Sequence, residues 1–311
     1  MAGRIFKIGA RGSKLSQIQT HSVIDLFRTS NPDIKMESVT IKTSGDIDVL
    51  SPMYEIGGVG AFTKQIEGAL LAGEIDIAVH SAKDLPSRNT NGLSIAAVPK
   101  RNRCEDALIS NDGVTFDGLK PGSAIGTSSP RRRAMLLYAR PDLLVSDIRG
   151  NIETRIAKMH GGKYGAIILA LAGLTRTGLN SAVTNIFPPE KFIPAAGQGA
   201  LAIQTRTDDS ELLRITKGID HEESHRCLDI ERALLSRLNA GCNIAVGAWA
   251  RYNGEKIKLS AAVLDKDAKI RIDAQHEISL NLQNNELVDP VYQQLISRGA
   301  MELIKDYEKD V

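Results

Sequence analysis

Apolar positions along this chain switch repeatedly between a period of two and a period near three and a half. Residues 4–9 read as a strand that ends in Ala10-Arg11-Gly12-Ser13, and Leu15, Ile18, Val23, Leu26 and Phe27 then mark one face of a helix over about 14–28, with Ser13 as its N-cap. A second strand, 36–41, runs into Lys42-Thr43-Ser44-Gly45-Asp46. Residues 46–61 carry no period and end in Gly57-Gly58-Val59-Gly60, which reads as a flap, before Phe62, Ile66, Ala69 and Leu70 open another helix. The flap lacks the Gly-Lys-Ser/Thr ending of a nucleotide-binding phosphate loop. The next apolar run stops abruptly in His80-Ser81-Ala82-Lys83-Asp84-Leu85-Pro86, where a cation and a carboxylate stand just before a proline that blocks further regular structure.

Strand patterns at 93–98, 107–110, 124–126, 143–148 and 166–169 continue an alternation of strand, polar loop and helix that predicts an α/β fold with open sheets. Pro99-Lys100-Arg101-Asn102-Arg103 reads as a hinge, and Pro194 to Ala202 as a second crossing between lobes. That second segment holds a formal Gly-x-Gly-x-x-Ala match, but its flanks are proline-rich and strand-like rather than strand then helix, so a dinucleotide site is rejected. From 220 the composition changes. Asp220 and Glu223 read as a capping box, Cys227, Ile230, Leu234 and Leu238 as the apolar face of a long helix, and Cys242 falls at a glycine turn. Strands at 244–250, 256–264 and 269–277 and a helix over about 290–305 complete a small α+β unit.

Ligands bind beyond the carboxyl ends of strands in open sheets, which would set Asp84 at a crevice. Taken alone, aspartate before Leu-Pro is ordinary turn chemistry. The arginines change the balance: Arg11, Arg131, Arg132, Arg133, Arg149, Arg155 and Arg176 all fall in glycine- or hydroxyl-rich junctions after apolar segments, or within a turn or so of helix beyond one. Thr127-Ser128-Ser129-Pro130 ahead of Arg131 is an anion seat at a helix start. The whole chain is only +2, with 4% aromatic residues, so the positive charge is local, which suits a small polyanion better than a nucleic acid. At 311 residues the length allows about two domains, with room for a third. Three cysteines, Cys104, Cys227 and Cys242, form no close pair, and six scattered histidines offer no metal spacing. The start lacks an apolar leader and no run reaches the length of a membrane span, which reads as a cytoplasmic protein without a membrane partner.

Several strings, taken together, resemble the porphobilinogen deaminase (hydroxymethylbilane synthase) family nearly end to end. They are Arg11-Gly12-Ser13 with Gln19, Gly57 to Gly60 before Phe62, His80 to Pro86, Gly126 to Arg132, Arg149-Gly150-Asn151 with Thr154-Arg155, Ala195 to Ala200, and Gly241-Cys242. The resemblance implies two periplasmic-binding-protein-like (type II) lobes plus a C-terminal α+β domain. Lobe one would hold 1–99 and 200–218, lobe two 103–194, and a cofactor-attachment domain 220–311. It implies head-to-tail condensation of four porphobilinogen units with release of ammonia, on a dipyrromethane primer bound by thioether to Cys242. By matching position, Asp84 is the catalytic carboxylate. Lys83, Ser129, Arg131 and Arg132 join Cys242 in the cofactor set, and Arg11, Ser13, Gln19, Arg149, Arg155 and Arg176 bind substrate or cofactor carboxylates. A monomer is implied, with porphobilinogen and the growing polypyrrole as partners and no metal. The chain departs from the family at Val59 (commonly lysine), Lys14 (commonly proline), Ala240 (commonly glycine) and Gln204 (commonly glutamate). The alternative is a non-enzymatic bilobal receptor for a small polyanion, against which Asp84 and Cys242 stand in matching contexts.

Overall fold

The structure, a computed structural model, describes residues 4–42, 63–241, 243–280 and 284–308. Backbone proximity divides the chain into two units, Met1–Asn102 with Ala200–Arg226, and Arg103–Gly199 with Cys227–Val311.

In chain order the first stretch supplies β1 (Ile5–Arg11), α1 (Lys14–Ser30), β2 (Lys35–Ile41), α2 (Lys64–Leu71), β3 (Ile77–Ser81) and β4 (Leu93–Ala97). The second holds β5 (Asp106–Ser110), β6 (Ala124–Gly126), α3 (Pro130–Ala139), β7 (Leu144–Ser146), α4 (Ile152–His160), β8 (Ala166–Ala170), α5 (Leu171–Arg176) and β9 (Asn185–Ile186). The chain then returns through β10 (Leu201–Arg206) and α6 (Ser210–Thr216) to α7 (Glu222–Arg237). It ends in β11 (Val246–Asn253), β12 (Lys256–Leu264), β13 (Arg271–Ser279), α8 (Asn284–Ser297) and α9 (Ala300–Glu308).

Each unit holds one five-stranded mixed sheet, ordered β2-β1-β3-β10-β4 in the first and β7-β6-β8-β5-β9 in the second. In both, the fourth strand is antiparallel to its neighbours, and in both it is the strand laid down just after a crossing, β10 or β5. The sequence carries no internal repeat, yet the two sheets repeat one topology. The second unit adds the antiparallel sheet β11-β12-β13, backed by α7, α8 and α9. This is the two-lobe α/β scheme with a small α+β addition that the resemblance implies.

In the first sheet Ile8, Ile77, Val79, Leu201 and Ile203 pack with Val23 and Phe27 of α1, while Ala78 faces Ile66 and Leu70 of α2. Fully burying each large side chain contributes roughly 1.5–3 kcal/mol, so Ile77 and Val79 hold β3, the strand that leads to Asp84, firmly in this core. In the second unit Trp249, Ala262 and Leu264 of the three-stranded sheet share one core with Leu108, Ile125 and Met135.

Two expectations are corrected. Asp220 does not build a capping box: its carboxylate accepts from Val98 N at 2.7 Å and pairs with His225 Nδ1 at 2.8 Å, while Ser224 N donates to His221 Nδ1 at 3.3 Å at the start of α7. The helix expected over 290–305 is two helices, broken at Gly299, whose φ of +89° is left-handed, and Pro290 lies inside α8. Among the described residues no helix is long and apolar enough to cross a membrane, and no group of His, Cys, Asp and Glu could hold a metal ion.

Candidate functional site

The candidate residues fall into two sets, one in each unit. In the first, β1 and β3 run side by side and parallel, with Ile8 beside Ile77 and Gly9 beside Ala78. Arg11 at the end of one strand with Ser13 just beyond it, and Lys83 and Asp84 after the other, therefore reach the same edge of the sheet. Ser13 is the N-cap of α1, its hydroxyl accepting from Ser16 N at 3.3 Å. The Arg11 carbonyl accepts from Gln17 Nε2 at 2.9 Å, which ties the loop to the helix it opens. Buried Gln19 donates through Nε2 to Ser81 Oγ at 3.0 Å and so joins α1 to the end of β3. Beyond Ser81 a 3-10 turn, Ala82–Asp84, closes with Leu85 N on Ala82 O at 3.3 Å, and Ala82 N donates to Ala200 O at 3.1 Å. Asp84 is exposed and Lys83 half-buried. An apolar strand run straight into a short turn thus delivers a carboxylate to solvent on a rigid root.

In the second unit the parallel strands β6 and β7 each end in a candidate loop, and β8 runs directly into α5, whose last residue is Arg176. After β6, Ser129 caps α3 through Arg132 N at 3.4 Å with Pro130 in the first turn. Ser128 Oγ donates to Ile148 O at 2.7 Å and fastens this loop to the one after β7. There Gly150 has a φ of +110°, and a Cβ on it would lie 2.6 Å from Thr154. Only glycine fits between Arg149 and the helix cap Asn151, whose Oδ1 accepts from Thr154 N at 2.8 Å. Arg155 Nε folds back onto Gly150 O at 2.8 Å.

The arginines of this unit divide by what neutralises them. Arg131 and Arg132 are buried and converge on Asp106, itself 0% exposed, through Arg131 Nη2 at 2.7 Å and Arg132 Nε at 2.8 Å. Gln198 Nε2 adds a third bond to Asp106 at 3.0 Å, and Arg131 Nη1 and Arg132 Nη1 are taken up by the carbonyls of Ile193 and Ile168. Burial pushes the Asp106 carboxyl up, but the attraction and hydrogen bonds of the two guanidinium groups outweigh it and hold it below the usual carboxylate range. Arg176 is different. Its Nη2 donates to Gly199 O at 2.8 Å, no ion pair of it occurs among the described residues, and burial alone pushes its pKa down to about 10. Arg149 Nη2 is buried without a hydrogen-bond partner among the described residues. Guanidinium groups left in this condition fit a ligand that brings its own carboxylates, as a dipyrromethane would.

Two of the expectations, the flap with Val59 and the anchor Cys242, lie outside the described residues. Three acidic groups went unnoticed in the sequence: Asp106, Glu67 and Glu231. Glu231 is fully buried and accepts from Gly197 N at 2.6 Å and Ala250 N at 2.8 Å, so it holds the glycine-rich crossing. Its one signal is an acid among the apolar positions of α7. Asp106 stands at the head of an apolar strand, where a charge is unexpected without a partner.

The description "Porphobilinogen deaminase, dipyromethane cofactor binding domain" matches residues 6–214, and "Porphobilinogen deaminase, C-terminal domain" matches residues 225–292. A porphobilinogen deaminase of Desulforamulus reducens is 40% identical over 299 residues, covering 96% of each chain. One of Macrococcus caseolyticus is 38% identical over 305 residues, 98% of each chain. One of a Roseiflexus species is 41% identical over 263 residues, 85% of this chain and 87% of that one.

Proposed function

The chain belongs to the porphobilinogen deaminase family, and on that premise we propose that Asp84 handles the protons of porphobilinogen condensation while arginines hold the acids of the pyrroles. The activity is that of a hydroxymethylbilane synthase, a deaminating transferase of tetrapyrrole biosynthesis with a dipyrromethane cofactor. Each step breaks the bond to the substrate's amine, which leaves as ammonia, forms a carbon–carbon bond to the free α-carbon of the terminal ring, and breaks that carbon's C–H bond, whose proton replaces the one given to the amine. Asp84 as an acid donates a proton to the departing amine, and as a carboxylate it steadies the positive charge left on the substrate ring. The 3-10 turn rooted through Ala82 N and the Gln19–Ser81 bond keeps that carboxyl in one place through both roles.

The dipyrromethane, when bound, supplies the pyrrole carbon from which the product grows. Cys242 is its anchor in this reading, with Lys83, Ser129, Arg131 and Arg132 around its acids and Arg11, Ser13, Gln19, Arg149, Arg155 and Arg176 shared between cofactor and substrate. Asp106 pairs with both Arg131 and Arg132, and the Ile193 and Ile168 carbonyls take further donors, so these two act first as the scaffold that sets Ser129 and the start of α3. The observation that carries the assignment is Arg176, a half-buried cation that among the described residues meets only a carbonyl. The reading keeps lobe one as 1–99 with 200–218, lobe two as 103–194 and the attachment domain as 220–311, in a cytoplasmic monomer.

Intact-mass measurement tests this. The purified protein is expected to exceed its sequence mass by one dipyrromethane, and Cys242→Ser to match its sequence mass without ammonia release. An unmodified wild-type chain would support the polyanion receptor instead.

A further inference from the structure

Within the first unit a polar chain runs beneath the Asp84 turn that the proton chemistry leaves unused. Alternation along β3 sends Ser81 to the face covered by α1 and His80 to the face covered by α2. Gln19 holds Ser81 on its side. On the other, His80 Nε2 lies 3.2 Å from Gln204 Oε1, Gln204 Nε2 donates to Glu67 Oε1 at 2.8 Å, and Thr90 Oγ1 donates to Glu67 Oε2 at 3.0 Å. His80, Gln204 and Glu67 are 5%, 1% and 6% exposed, so water does not substitute for a missing partner.

A carboxylate offers only acceptors, whereas an amide offers donors at one end and an acceptor at the other. Glu67 therefore draws the nitrogen of Gln204 to itself and turns the oxygen toward the imidazole. An oxygen at that position requires His80 to donate from Nε2. Reversing the amide would oppose acceptor to acceptor at the Glu67 end.

We propose that Glu67 is a positioning residue for the Asp84 turn, fixing the Nε2–H tautomer of His80 through Gln204. The proposal rests on the role given to Asp84. The last two side chains of β3 are then pinned from opposite faces by Gln19 and Gln204, and the turn that follows inherits a fixed direction. Displacement of a reacting group by about 1 Å can cost a hundredfold in rate, so such a root matters to turnover.

The test is long-range proton–nitrogen NMR of histidine-labelled holoenzyme at neutral pH, alongside steady-state kinetics. Wild-type His80 is expected to carry its proton on Nε2. In Glu67→Gln, whose new amide can face either way, the Nδ1–H form should appear, with kcat roughly tenfold to a hundredfold lower and KM within about twofold. Gln204→Met, which removes the link while filling its space, should do the same and serves if Glu67→Gln does not fold. An Nδ1–H imidazole in the wild-type enzyme would overturn the proposal, as would full kcat in either folded variant. Full turnover by Asp84→Ala would instead remove the Asp84 role and leave the tautomer unaffected, so the two failures are distinct.

Discussion

Asp106 shows how a single residue decides what its neighbours can do. Two guanidinium groups and an amide share one buried carboxylate, and the cluster keeps a net positive charge while using most of its donors internally. Asp106→Asn leaves two buried cations uncompensated and should cost about 3–5 kcal/mol by denaturant unfolding. Because the folded carboxyl lies below its unfolded value near 3.9, its contribution is complete above that pH and is lost as pH falls through the folded value. The acid limb of stability against pH should therefore flatten in the variant. Arg176 has the opposite sign. Its depressed pKa means that the charged form is held at a cost when no anion is present, and Arg176→Met should raise the stability of cofactor-free protein by on the order of 1 kcal/mol while weakening porphobilinogen binding. A fall in stability together with unchanged binding would contradict that assignment.

At the scale of elements, the loops after β6 and β7 act as one piece, because Ser128 Oγ both donates to Ile148 O and accepts from Ile148 N at 3.2 Å. Gly150 is the point that tolerates no change. Gly150→Ala combines a left-handed backbone with a clash on Thr154 and should displace Arg149 and Arg155, raising KM for porphobilinogen at least tenfold with stability lowered by roughly 1–2 kcal/mol. Steady-state kinetics and denaturant unfolding of that variant check both figures. Most of these elements were legible in the sequence. Ser13, Ser129 and Asn151 were readable as caps or loop ends because hydroxyl and amide residues ahead of an apolar stripe have few other uses. Asp220 misled for the same reason: its carboxylate serves Val98, 122 positions away, and nothing local signals that partner. The two-residue strand β9 and the break at Gly299 were equally hidden, one too short for a period and the other inside an otherwise helical stripe.

The whole molecule repeats one sheet topology with different chemistry at the strand ends. In the first unit the ends carry Asp84 with Arg11 and Lys83; in the second they carry mostly cations and hydroxyls. Candidate residue types were visible in sequence, but which arginine is already neutralised depends on Asp106, a contact between residues 25 positions apart that no local pattern reports. Cofactor attachment should therefore stabilise the entire protein by relieving uncompensated charge. Calorimetry of Cys242→Ser is expected to give a Tm several degrees below that of the loaded enzyme, and equal Tm values would contradict this.

The role of Asp84 is tested most directly by rapid-quench measurement of ammonia release from one equivalent of porphobilinogen on cofactor-loaded Asp84→Asn. Loss of a positioned proton donor predicts binding within about threefold of wild type, and release slowed by roughly a hundredfold or more. Ammonia released at the wild-type rate would contradict the account.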